Sequence, residues 1–141
     1  MSATTIPSTT VEAYRQTEYR VYGEPAFTLR IGQPSPQFLA LQHAHQVQCS
    51  AFVTACNPYS QPLQSGENQQ HQQALVQQLR AAGYTALTGI GQHPSNDWPG
   101  EESCLVLGID LDTAKAIGIQ HKQNAIVWCG QEGIPELVLL R

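Results

Sequence analysis

Downstream of Cys49 the chain alternates short apolar runs with two helix-patterned stretches, and the order of these pieces is β-α-β-β-α-β. A short apolar run closed by turn residues reads as a buried strand; apolar positions three and four apart read as one face of a helix. The strand runs are residues 49–54, 84–90, 104–109 and 125–129, with a last one at 136–140. Leu75, Leu79 and Ala82 recur at helical spacing behind Ser65 as a candidate cap, and Gly83 supplies the stop. Asp110 or Asp112 caps a shorter helix that holds Ala114 and Ile117.

Upstream, residues 18–22 and 27–31 read as two short strands joined through Gly23-Glu24-Pro25. Ser35-Pro36 then starts a helix, with a hydroxyl at the cap and proline where its missing N–H costs nothing. That helix carries Phe38, Leu39 and Leu41 and ends before Val47. The expected fold is a single α+β domain over residues 14–141. It has a ferredoxin-like, split β-α-β core with an extra N-terminal hairpin and helix. Residues 1–13 are expected to form a flexible tail, since they carry Ser, Thr and Pro but no basic start followed by an apolar segment. At 141 residues the chain is long enough to bury one real core.

The element order has a consequence for function. The exit of the first core strand, the loop between the second and third, and the entry to the fourth all fall at one end of the sheet. Here those are Asn57-Pro58-Tyr59-Ser60, residues 93–102 and residues 121–124, the segments richest in groups able to recognise a ligand. Proline should force Asn57 into an extended conformation, leaving its amide to satisfy the loop or a ligand. Glu67 suits the positive end of its helix. Asn68 is a poor helix-interior residue and stands one turn before Gln72, placed to reach back and pin the Asn57 loop. Trp98 with Glu101 and Glu102 is the strongest candidate for chemistry, because a carboxylate desolvated beside an indole moves toward acid/base range. Neighbours on a strand point to opposite faces, so only one of the two glutamates can serve such a site.

Other chemistries find little support. A net charge of −4 with seven scattered Lys and Arg argues against a nucleic-acid partner. No apolar run is long enough to span a membrane. The four cysteines, Cys49, Cys56, Cys104 and Cys129, show no CxxC spacing and read as reduced thiols of a cytoplasmic protein. His43 and His45 lie two apart on a helix, roughly opposite each other, and cannot chelate together; no metal site is expected. Ser60 lacks a nucleophile elbow, and Gly89-Ile90-Gly91 lacks the Lys-Ser/Thr of a phosphate loop. No motif names a cofactor.

Several of these segments, taken in order, resemble a known family. Thr54-Ala55-Cys56-Asn57-Pro58-Tyr59-Ser60, then Glu67-Asn68, then Trp98…Glu101…Ser103, then Gln123-Asn124-Ala125 ahead of Ile126-Val127-Trp128, resemble the bacterial domain of unknown function DUF3293. The likeness runs from about Tyr14 to Trp128. Where the family's first motif has Trp this chain has Cys56, so a stacking role is not carried over to that position. The resemblance implies no activity, but it selects Glu101 over Glu102. The expected function is therefore the binding of a small polar ligand at the shared rim, by Asn57, Tyr59, Ser60, Asn68, Trp98, Gln123 and Asn124. The alternatives are a small enzyme with Glu101 as general acid/base on a nucleotide- or amide-like substrate, and a protein-interaction module centred on Tyr59 and Trp98.

Overall fold

The computed structural model describes residues 4–23, 26–95 and 98–141. The elements in chain order are α1 (Ser8–Gln16), β1 (Glu18–Val21), β2 (Phe27–Leu29), α2 (Pro36–Ala44), β3 (Ser50–Val53), α3 (Ser65–Ala81), β4 (Thr85–Gln92), β5 (Glu101–Leu107), α4 (Leu111–Gln120), β6 (Ala125–Cys129) and β7 (Pro135–Leu139). A single 3-10 turn, Pro58–Ser60, lies between β3 and α3. All seven strands join one curled sheet in the order β2-β1-β4-β5-β3-β6-β7, and every pairing is antiparallel. The domain is thus a mixed α+β unit.

β3 lies centrally, between β5 and β6, and all four of its residues are buried. Two apolar layers flank it. On one face α3 contributes Leu75 and Leu79 and α4 contributes Ala114 and Ile117, packed on Ala51, Val53, Val106 and Ile126. Burial of each leucine is worth about 1.5–3 kcal/mol. On the other face Phe38 of α2 meets Leu29, Phe52, Leu105 and Val127. The polar groups α2 takes inside are paired: Ser50 Oγ donates to Gln42 Oε1 at 2.9 Å, and Gln42 Nε2 donates to the Gly130 carbonyl at 3.1 Å.

Local chemistry accounts for the helix ends. The Ser35 hydroxyl accepts from the Phe38 amide at 3.2 Å, and Asp110 Oδ1 accepts from the Thr113 amide at 2.7 Å. Gly83 ends α3 with φ +92°, where a side chain is strained.

Four expectations are corrected. Residues 8–13, assigned to a flexible tail, belong to α1, and Ile6 before it is only 5% exposed. α1 escapes a hydrophobic reading because none of its residues is buried. β5 starts at Glu101 rather than 104, because Glu101, Glu102 and Ser103 pair with Gly91, Ile90 and Gly89 of β4. The cap position of α3 falls on Gln64, and Ser65 is its first helical residue. Asn57 is left-handed, at φ 46° and ψ 66°, not extended. The expected turn between β1 and β2 runs through Glu24 and Pro25, which lie outside the described residues. So do Asn96 and Asp97 of the loop before Trp98.

Candidate functional site

The loop leaving β3 is where the backbone departs furthest from ordinary geometry. Asn57, Tyr59 and Ser60 all have positive φ, at 46°, 54° and 59°. Each such non-glycine residue costs of order 1–3 kcal/mol and persists only where its surroundings hold it. Asn57 is held on every side. Its backbone N–H donates to Asn68 Oδ1 at 2.8 Å. Its Oδ1 accepts from the Leu63 amide at 2.9 Å and from Asn68 Nδ2 at 2.8 Å. Its Nδ2 donates to Glu101 Oε2 at 2.7 Å. These bonds override the preference of a pre-proline residue for extended backbone, and Asn tolerates the left-handed region better than most residues.

α3 supplies this clamp from the same face that builds the core. Asn68, Gln72, Leu75 and Leu79 follow one another at helical spacing. Leu75 and Leu79 seat the helix, Gln72 Oε1 accepts from the Ala55 amide at 3.0 Å, and Asn68 pins Asn57. From the opposite side Gln123 Nε2 donates to the Cys56 carbonyl at 3.1 Å, and the Tyr59 amide donates to the Lys122 carbonyl at 2.7 Å. The loop is therefore fastened to two elements far apart in the chain.

Beside it lies a cavity of about 290 Å³, between α1 and the sheet. Asn57, Ser60, Trp98, Glu101 and Gln123 line it. Glu102, one residue on, faces the other side of the sheet, as strand alternation requires. Burial pushes the Glu101 carboxyl above the usual carboxylate range, and hydrogen bonds from the Asn57 and Trp98 side chains offset part of that rise.

Three of the residues expected at the site do not reach the cavity. Asn68 acts through Asn57. Asn124 Nδ2 donates to Tyr14 Oη at 3.0 Å and to Ser60 Oγ at 3.1 Å, and its Oδ1 accepts from Arg141 Nη1 at 3.1 Å. Tyr59, expected as an apolar wall, is 40% exposed and carries the Arg141 guanidinium 4.2 Å from its ring centroid. Its left-handed backbone and the arginine account for the difference.

Residues absent from the sequence-based list also line the cavity, among them Ala13, Tyr14, Tyr19, Phe52, His93 and Ser103. Tyr14 and Ser60 hydroxyls hydrogen-bond to each other, Tyr19 Oη donates to the Tyr14 carbonyl at 2.6 Å, and His93 Nε2 lies 3.0 Å from Gln16 Oε1. These contacts fasten α1 over the cavity. Only α1 itself, unread in the sequence, would have brought Tyr14 into view.

Cys56 is an unpromising nucleophile, because burial and the nearby Glu101 and Glu102 carboxylates push its thiol up. His93 faces α1, whereas His121 Nε2 lies 2.8 Å from Gln78 Oε1 of α3. Among the described residues no group of three or more His, Cys, Asp or Glu is placed to hold a metal, and no helix is long and apolar enough to cross a membrane.

The family model described as "Protein of unknown function (DUF3293)" matches residues 53–126, just over half of the chain and the stretch that holds Asn57, Asn68, Trp98, Glu101 and Gln123. No curated protein and no solved structure matches the chain.

Proposed function

This chain belongs to the DUF3293 family, and we propose that it binds a small polar molecule in the cavity under α1, with Glu101 as the polar anchor. One observation carries this reading: a partly buried carboxylate, held at 2.7 Å by an asparagine in strained backbone, forms part of the wall of a cavity sized for a small ligand. Strained loops and buried charges both cost stability, and their coincidence at a cavity favours a functional cause over a structural one. Asn57, Ser60 and Gln123 would orient the ligand, while Trp98, Tyr19 and Phe52 would supply apolar walls. The element order and the sheet order β6-β3-β5-β4 support a ferredoxin-like core beneath this site. Four free cysteines support a reducing, cytoplasmic setting.

The test is mass spectrometry of small molecules carried through native purification by the wild type, Asn57→Ala and Glu101→Ala. A compound held by the wild type and lost from both variants is the expected result. Equal retention by all three overturns the reading.

A second reading, an enzyme with Glu101 as general acid/base, is favoured by the burial that raises its proton affinity. Titration of Glu101 by carboxyl-carbon NMR addresses it directly. A value within the ordinary carboxylate range removes the acid/base role and leaves the binding role intact.

A further inference from the structure

The charges around the cavity narrow the ligand further. Among the described residues that line it, Glu101 is the one carboxylate, and no Lys or Arg appears. An anion bound there would face the Glu101 carboxylate across a lining without Lys or Arg, and like charges at contact distance repel. Four aromatic residues, Tyr14, Tyr19, Phe52 and Trp98, share the lining, and Tyr19 meets Phe52 edge-on with ring centroids 5.3 Å apart. Aromatic walls around a carboxylate are a setting that favours cations. The hydroxyls of Ser60 and Ser103 add acceptors for N–H donors.

We infer that the ligand is a small organic cation, a protonated amine whose charged head pairs with Glu101 and whose apolar body lies among the aromatic walls. This rests on the cavity reading proposed above. The acid–base consequence has a definite sign. Desolvation pushes the Glu101 carboxyl above the usual carboxylate range, and an ammonium pairs with its ionised form, so amine affinity rises with pH as that group loses its proton. The other titratable groups facing it are Tyr14 from α1, Tyr19 from β1, His93 after β4 and Cys56 after β3.

The experiment uses three probes of one shape: benzylamine, benzyl alcohol and benzoate. Each is titrated into the full chain while the Trp98 indole and the Asn57 and Gln123 side-chain amides are followed by NMR. Benzylamine is expected to shift these signals, with affinity about tenfold or more above the other two, about 1.4 kcal/mol. Its affinity is expected to strengthen as pH rises through the titration of Glu101. Glu101→Gln, which keeps the shape of the side chain, is expected to erase the preference for the amine. The wild-type pH comparison stands even if that variant folds poorly. Binding of benzyl alcohol or benzoate at these residues as tightly as benzylamine overturns the cation inference while leaving the cavity reading in place. Failure of all three probes to move these signals also overturns it, and the co-purification experiment then judges the cavity reading separately.

Discussion

Asn57 Nδ2 donates to Glu101 Oε2 at 2.7 Å, a contact that ties the loop after β3 to the first residue of β5. The same asparagine accepts from Leu63 and Asn68. Replacing it by alanine removes three hydrogen bonds and leaves a Cβ-bearing residue in the left-handed region. At about 1 kcal/mol for each bond, Asn57→Ala is expected to lower stability by about 2–4 kcal/mol in urea unfolding. Asn57→Gly removes the same bonds but tolerates the backbone, and should recover about 1 kcal/mol of that loss. Equal losses in the two variants would show that the left-handed geometry contributes nothing.

The upward displacement of Glu101 fixes the sign of a pH effect. The folded state keeps this proton to a higher pH than the unfolded chain does. Stability contributed by Glu101 is therefore greatest below the ordinary carboxylate range and is lost as pH rises from there through its folded value. Glu101→Gln cannot lose a proton. The difference in unfolding free energy between Glu101→Gln and wild type is expected to grow in the variant's favour across that window, then level off. A difference that shrinks with rising pH would mean that the Asn57 and Trp98 hydrogen bonds outweigh burial.

α1 is held by polar contacts rather than by a core. None of its residues is buried, and the Tyr14 hydroxyl bonds both Ser60 and Asn124. Tyr14→Phe removes that hydroxyl and is expected to cost about 1–2 kcal/mol. The cost should be local. Hydrogen exchange of the amides in residues 8–16 should speed up well beyond any change in β3 or β5, because elements with few buried contacts open independently. Uniform acceleration across the sheet would contradict a locally fastened helix.

How much of this was legible in the sequence depended on whether a feature is local. The Ser35 cap, the Asp110 cap and the stop at Gly83 are set by residues within a turn of each other, and they occur where the pattern predicts. β6 spans Ala125–Cys129 as read, because its apolar run is bounded by polar residues on one side and glycine on the other. α1 was missed because its apolar residues do not outnumber its Ser and Thr and it buries nothing. The start of β5 was missed because Glu101, Glu102 and Ser103 look like loop, and only pairing with β4 makes them strand. Asn57, Ser60, Trp98, Glu101 and Gln123 were readable because the element order brings their loops to one end of the sheet. Tyr14 and Tyr19 were not, since no local signal reveals which sheet face α1 covers.

Two helical glycines offer a paired test of packing. A Cβ at Gly118 of α4 would lie 2.5 Å from Leu140 Cδ1 and 2.9 Å from Ile126 Cγ2, whereas one at Gly66 of α3 meets nothing within 4 Å. Alanine is intrinsically better than glycine inside a helix by about 0.5–1 kcal/mol, so with no neighbour to strike the substitution should stabilise. Gly66→Ala is expected to raise stability by up to about 1 kcal/mol, the more modestly because it sits in the first turn. Leu140 is partly exposed and can swing aside, but Ile126 is buried at 3% and belongs to the core that α4 packs upon. Gly118→Ala therefore has to push α4 off the sheet, and overpacking of this kind costs about 1–3 kcal/mol. Thermal unfolding should show the melting temperature rising for Gly66→Ala and falling for Gly118→Ala. A rise for both would mean that α4 does not approach β6 as closely as its glycine allows.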